Sequence, residues 1–266
     1  MVSKGMTYEM PVPPRRIVCL TEEFTEILYL LGEEERIVGI SAYAVRPPRA
    51  KKEKPVVSAF IGGSVDKIVA LKPDLILGFS DIQAQLAKDL IAANQQVLIF
   101  NQRTVQDILD VIATVGRIVG TQEKAEGLVD SCLKNIAATR TRSAGKGVRV
   151  YFEEWDEPMI SGIAWISELI SIIGGVDVFA HKAAGKLAKE RIVTAQDVVF
   201  ADPDVYIASW CGKPFNKEAL NKRPGWDKIK AVQTGKIFEM DPSIILQPGP
   251  ACLTDGLQEL ERLLSL

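Results

Sequence analysis

The chain has 266 residues, of which 47% are hydrophobic and 25% charged, so it has ample material for a buried core. A formal net charge of −2 provides no basic field for a phosphate backbone, and nucleic acid is not an expected partner. The four cysteines, Cys19, Cys132, Cys211 and Cys252, form no CxxC pair. With His181 as the only histidine, almost no transition-metal ligand set remains.

Such scattered thiols read as small buried hydrophobes of a reducing compartment, with a Cys211–Cys252 disulfide as the alternative. The opening MVSKGMTYEMPVPPRR has no apolar segment of a secretory leader. No apolar run reaches the ~20 residues that cross a bilayer. The expectation is a soluble protein, either cytoplasmic as written or a mature form whose leader has been removed.

In chain order, residues 16–20 (RIVCL) read as a buried strand, followed by a helix over Glu22–Leu31 that stops at Gly32. Strands are predicted at 37–40, 75–78 and 97–100, with helices over Val65–Leu71 and Ile82–Ala93. From Thr104 to Arg142 there is neither proline nor strand signal. Thr104 and Thr121 read as N-caps, with Asp107 and Glu123 in the first turns that follow. Leu128, Cys132 and Ile136 recur at helical spacing, which predicts a helix over 121–143, ~34 Å long at ~1.5 Å per residue. That is a strut able to join two domains, or else an ordinary helix packed inside one. Strands follow at 148–152, 205–209 and 236–239.

Two stretches look alike. Residues 68–78 read IVALKPDLILG and residues 198–208 read VVFADPDVYIA, with Pro73 and Pro203 130 residues apart. Arg16-Ile17-Val18 and Arg149-Val150-Tyr151 open apolar runs at an offset of 133, and each leads into a helical pattern ending at glycine (Gly32, and Gly174-Gly175). These offsets argue for duplication of one α/β unit. Strands apolar on both faces, separated by helices, predict parallel sheets. The expected fold is α/β, with two Rossmann-like lobes bridged by one long helix. The N-terminal lobe is placed at 15–120, the bridge at 121–143 and the C-terminal lobe at 144–266.

Enzyme signatures fall short: there is no GxSxG, no GxxxxGK[ST] and no GxGxxG after a strand. Gly62-Gly63-Ser64 reads as a turn. Glu153-Glu154 reads as a solvated strand end, because neighbours in an extended segment point to opposite sides. What remains is a set of rings and a thioether near the C-terminal ends of strands, the edge where open parallel sheets bind ligands. Tyr43, Phe79, Trp155, Met159 and Trp210 follow strands, Phe60 precedes a helix, and Trp165 opens one. Each alone is at home in a core. Together, at the strand ends of both lobes, they point to a cleft for a flat ligand.

From about Arg15 to Leu264 the chain resembles the helical-backbone solute-binding proteins of ABC transporters, in particular the cobalamin binders and their ferric-siderophore relatives. The resemblance rests on RIVCLTEEFTEILYLLG (16–32), SAYAVRPP (41–48), DKIVALKPDLILG (66–78), EPMISGIAWISELISIIGG (157–175) and QPGPACLTDGLQELERLL (247–264), taken in order. It implies a ligand held between two lobes whose rigid bridge limits hinge motion, and delivery to a membrane permease that both lobes touch. Tyr43, Phe60 and Phe79 fall at positions that are aromatic in the cobalamin binders. Met159 stands where phenylalanine is usual. Arg46 departs from the family's pattern in its Tyr-x-x-x-Pro-Pro stretch and adds either a cation for the ligand or a surface charge. Asp66 matches one of the family's two acidic docking positions, and the other holds Gln196.

The resemblance therefore implies a non-catalytic, monomeric binder with no intrinsic cofactor or metal, extracytoplasmic by family. It takes up or sequesters a corrinoid such as cobalamin. Haem or a ferric siderophore on the same fold is the alternative and calls for convergent cations, with Arg46, Lys182 and Lys213 as candidates. A nitrogenase-like two-lobed enzyme would need grouped cysteines.

Overall fold

A computed structural model describes residues 10–143, 147–220 and 222–265; the opening residues 1–9, included in the reading of the N-terminus above, lie outside the described residues. Ten strands make two sheets. In the first, β1 (Ile17–Cys19), β2 (Ile37–Ser41), β3 (Val56–Ser58), β4 (Leu75–Phe79) and β5 (Val97–Phe100) run parallel in the order β3-β2-β1-β4-β5. In the second, β10 (Ile237–Glu239), β9 (Val205–Ala208) and β6 (Arg149–Asp156) are parallel neighbours. β8 (Val176–Asp177) pairs in parallel with the start of β6, and β7 (Met159–Ser161) folds back antiparallel on its end. The predicted strands are all present. β3, β7 and β8 carried no sequence signal, because two or three residues are too few to show a period and only their neighbours make them strands.

The duplication is visible in detail. Val18 pairs with Ile76 in the first sheet, and Tyr151 with Tyr206 in the second. In each half the aspartate of Pro-Asp locks the first strand (β1 or β6) to the fourth (β4 or β9). The Asp74 carboxylate accepts the backbone N–H groups of Arg15 and Arg16 at 2.7 and 2.9 Å, and Asp204 accepts that of Arg149 at 2.9 Å. The arginine then reaches back to the preceding turn: Arg16 donates to the Leu71 carbonyl at 2.6 Å and Arg149 to that of Ala201 at 2.7 Å.

The helix Val105–Val119 begins with a reciprocal capping box between Thr104 and Asp107 and ends at Gly120, in the left-handed region. The bridging helix spans Gln122–Ser143, 22 residues or about 33 Å. Thr121 precedes it, but its buried hydroxyl has no hydrogen-bond partner, so the expected side-chain cap is not made. Ala125, Cys132, Ile136, Thr139 and Ser143 form its buried stripe. Gly116 lets the preceding helix approach this stripe, since a Cβ there would sit 2.2 Å from that of Ala125. One apolar core runs through the bridge and joins the lobes, including Phe24, Ile112, Cys132, Leu169 and Leu257.

The chain's last segment does not stay on the second lobe. The backbone N–H of Ala251 donates to the Glu26 carboxylate of the first lobe at 3.0 Å. Asn135 of the bridge donates to the Leu253 carbonyl at 2.7 Å, and Arg142 pairs with Glu261 at 2.9 Å. The lobes are thus tied twice, by the bridge and by the tail. All four cysteines are free, with Cys211 half-buried and the others buried, so the Cys211–Cys252 disulfide is not formed. Among the described residues no helix is long and apolar enough to cross a membrane.

Candidate functional site

On the first lobe, the rim is built at the C-terminal ends of β2, β3 and β4. Tyr43 is 39% exposed and meets Phe60 edge-on, with ring centroids 6.3 Å apart. The loop carrying Phe60 turns tightly at the glycine pair: Ala59 N–H donates to the Gly62 carbonyl at 2.6 Å. Gly63 is closely packed, and a Cβ there would lie 3.1 Å from that of Ser58, so the neighbours would have to give by a few tenths of an ångström. Gln83 fastens the rim together. Its amide donates to the carbonyls of Leu20 and Phe60 at 3.2 and 3.1 Å, and its oxygen accepts from Phe79 N–H at 3.1 Å. Nothing in the sequence marks Gln83, because its partners lie in three separate parts of the chain.

Phe79 is buried, and the Arg103 guanidinium lies over it at 5.5 Å, so its ring does not face open space as expected. Arg103 also bonds Ser80 and Asp81 at 2.8 and 3.1 Å. Ser80, a non-glycine residue at φ 65°, holds a strained backbone at this edge. Its hydroxyl, with help from the Asp81 N–H and Arg103, holds the Asp81 carboxyl below its ordinary range.

On the second lobe, the Glu153-Glu154 expectation of a solvated strand end is overturned. Glu153 is fully buried and accepts from Tyr151 and Tyr206 hydroxyls at 2.9 and 2.8 Å and from both Arg223 nitrogens at 2.6 and 3.0 Å. Glu154 pairs with buried Arg191 at 2.7 Å and accepts the Ile163 N–H at 2.6 Å, while burial pushes its carboxyl up. The adjacent carboxylates do point to opposite sides, but each side is covered.

Trp155 is half-buried, and its indole donates to the Glu157 carbonyl at 2.9 Å. Lys213 places its ammonium 4.4 Å from the Trp155 ring and 5.1 Å from that of Trp210, and also pairs with Asp156. Trp210 itself is buried in the second lobe's aromatic cluster, against which half-buried Met159 packs. Trp165 is also buried, with its indole donating to the Ile245 carbonyl at 3.0 Å. For Trp165 and Trp210 the expectation of open ring faces is therefore corrected: helix and strand-end positions do not separate a cleft wall from a core. Arg46, read as a cation for the ligand or a surface charge, makes two ion pairs. It is held by Glu26 at 2.8 Å and Asp255 at 2.6 Å and ties the tail to the first lobe.

The lobes meet at the loop after β9. Gly212 sits at φ 85°, and a Cβ there would lie 3.6 Å from the Tyr43 hydroxyl, so the loop tip reaches the opposite rim. Next to it the surroundings are acidic. Burial pushes Glu22 up to about 7, and burial plus its neighbour Glu22 push Glu23 up to about 8. The Cys211 thiol is pushed up to about 12 by burial and then by the charges of Glu22, Glu154 and Asp241. Among the described residues no cluster of three or more His, Cys, Asp or Glu is arranged to hold a metal.

Asp66 and Gln196 are exposed in the first turns of the helices Val65–Ala70 and Ala195–Ala201, one on each lobe, at equivalent places in the repeat. Ser64 and Thr194 cap these helices by accepting from Lys67 and Asp197 N–H at 3.3 and 3.2 Å.

The family described as periplasmic binding protein matches residues 17–244. The uncharacterized ABC transporter substrate-binding lipoprotein YvrC of Bacillus subtilis is 28% identical, over 93% of this chain and 79% of its own length. The vitamin B12-binding protein of Vibrio cholerae is 25% identical, over 94% of this chain and 89% of its own. The crystal structure of that organism's periplasmic vitamin B12 binding protein BtuF superposes with a TM-score of 0.76 at 25% identity, covering 96% of this chain and 98% of the other. The periplasmic heme-binding protein RhuT of Roseiflexus superposes with a TM-score of 0.77 at 24% identity, covering 94% and 99%, a likeness of fold alone.

Proposed function

We propose, since the chain belongs to the periplasmic binding protein family, that it is a non-catalytic solute-binding protein whose cleft clasps a large flat ligand, a corrinoid such as cobalamin, outside the cytoplasmic membrane. The Tyr43–Phe60 pair offers one wall and Trp155 with Met159 the other. The observation that carries the choice of ligand is electrostatic. The cations nearest the cleft are already engaged: Arg103 with Asp81, Arg191 with Glu154, and Lys213 with Asp156. Of the cations that an anionic siderophore or a haem propionate would call on, Arg46 is bound to Glu26 and Asp255 as well. Lys182 stands near Asp197 and helps to lower its carboxyl. Glu22 and Asp241 meanwhile add acidity beside Cys211. Such a site favours a neutral or cationic ligand.

Thiolate chemistry of a nitrogenase-like kind is disfavoured by the same burial, which pushes the Cys19 thiol up to about 12 and that of Cys132 up to about 11. Asp66 and Gln196 form the surface that we assign to a permease, with the protein acting as a monomer.

Titration calorimetry with cyano- and hydroxocobalamin tests this reading, with haemin and a ferric hydroxamate as competitors in thermal shift. A specific ligand at 100 times its Kd adds about 2.7 kcal/mol of stability. Stabilisation by haemin or the hydroxamate alone would reassign the ligand, and no heat with either cobalamin at tens of micromolar would remove the corrinoid.

A further inference from the structure

At the second lobe's rim, the Lys213 ammonium sits against two indole faces, Trp155 at 4.4 Å and Trp210 at 5.1 Å, and against the Asp156 carboxylate. Phe215 stands edge-on to Trp210, with ring centroids 5.3 Å apart, and helps to fix that indole. This is the chemistry that recognises an organic ammonium: aromatic faces supply the negative side of the ring quadrupole, and one carboxylate supplies a full charge. The occupant is tethered by a short loop. Gly212, in the left-handed region, precedes it, and the loop tip lies against Tyr43 of the other lobe. A cavity of about 420 Å³ adjoins the cage, lined among others by Asp156, Met159, Trp210 and Arg223. Arg223 adds no unpaired charge there, because both its terminal nitrogens donate to the Glu153 carboxylate. The buried Trp210 indole N–H has no partner, which leaves a donor beside the cage for an incoming oxygen.

We propose that Trp155, Trp210 and Asp156 form a subsite for a cationic group of the ligand, and that Lys213 fills it in the free protein. Ligand entry then exchanges one cation for another. Lys213 leaves with its loop, the contact with Tyr43 opens, and a positively charged group of the ligand takes its place on the indoles. A neutral group leaves Asp156 unpaired and binds more weakly at this subsite, so the cage selects for charge among the ligands that the cleft admits, while the neutral side-chain amides of a corrinoid leave Lys213 in place. This deepens the cleft-binding reading above and rests on it for its role, but not for its chemistry.

The probe is tetramethylammonium chloride, titrated against tryptophan fluorescence at constant ionic strength with sodium chloride as the balance. Lys213→Met removes the ammonium from the cage while keeping an apolar side chain of similar length. The expected result is a saturable fluorescence change in Lys213→Met, at roughly tenfold lower probe concentration than in the parent protein, which must first displace its own lysine. Adding Asp156→Asn to Lys213→Met should weaken the probe again by tenfold or more. A response in Lys213→Met that is linear and matches sodium chloride, in protein whose circular dichroism and melting are intact, overturns the proposal. So does saturable binding that Asp156→Asn leaves unchanged. Because the probe is not a corrinoid, the cage and the corrinoid reading can fail separately: cobalamin without effect while tetramethylammonium binds removes only the ligand assignment.

Discussion

The two lobes share one strand register but fill it differently. In the first, Val18 and Ile76 pair, and Leu20 follows at the strand's end; all three are buried among aliphatic side chains. At the equivalent places in the second stand Tyr151, Tyr206 and Glu153, with Phe179, Trp210 and Trp226 around them. A buried methyl-rich layer and a buried carboxylate held by two phenols and an arginine serve the same backbone. The comparison teaches that the repeat is carried by the backbone and by its Asp74 and Asp204 locks, while the core is free to change provided that each buried polar group finds a partner. It also shows that the second lobe gathers the aromatic rings from which its rim is made.

The largest expected effect comes from breaking the polar version. Glu153→Ala strands Arg223 and should cost about 3–5 kcal/mol by urea unfolding, with part recovered when Arg223→Met is added. Leu20→Ala, at the matching place, should cost about 2–5 kcal/mol with no second-site partner able to restore it. If Arg223→Met restores nothing, the two cores are not distinct in kind.

The next contrast is in pH. The acids at the first lobe's rim, Glu22 and Glu23, form no ion pair among the described residues, unlike Glu153 and Glu154. Their carboxyls are raised to about 7 and about 8, chiefly by burial. The folded state holds these protons more tightly than the unfolded chain, so stability falls as pH rises from about 4.5 to about 8, by up to about 1.4 kcal/mol per pH unit for each titrating group. Glu22→Gln and Glu23→Gln should flatten that slope in melts run across the window. An unchanged slope would mean that the two sites titrate normally.

Arg46→Ala should cost about 2 kcal/mol, since it leaves buried Glu26 short of its cation, yet should not change ligand affinity in calorimetry. A lost affinity with unchanged stability would return Arg46 to the cleft. The smallest effects belong to the repeat's locks: Asp74→Ala and Asp204→Ala should each cost about 1 kcal/mol. A difference well beyond that between them would show that the duplicated halves no longer rely on the same device.

Much of the architecture is legible in the amino-acid sequence. The apolar runs marked seven of the ten strands, and the bridging helix was bounded to within a residue by a stretch without proline and by helix-spaced Leu128, Cys132 and Ile136. Of the ring set, Tyr43, Phe60 and Trp155 sit at rims, and Met159 packs beside Trp210, whereas Phe79 is covered by Arg103 and Trp165 and Trp210 are buried. Tyr43 and Trp210 do follow strands, but Phe79 ends β4, Trp155 lies within β6 and Met159 opens β7, and which way a large ring turns depends on what comes to rest against it. Gln83 was invisible for the same reason.

By itself, then, the sequence determined what depends on near neighbours along the chain: periodicity, the Thr104 cap and the duplicated Pro-Asp turn. Only the tertiary structure decided that Arg46 pairs with Asp255, that the tail returns to Glu26, and that Lys213 lies on two indoles. Those choices are made between groups distant in sequence, where desolvation and partner geometry outweigh any local preference.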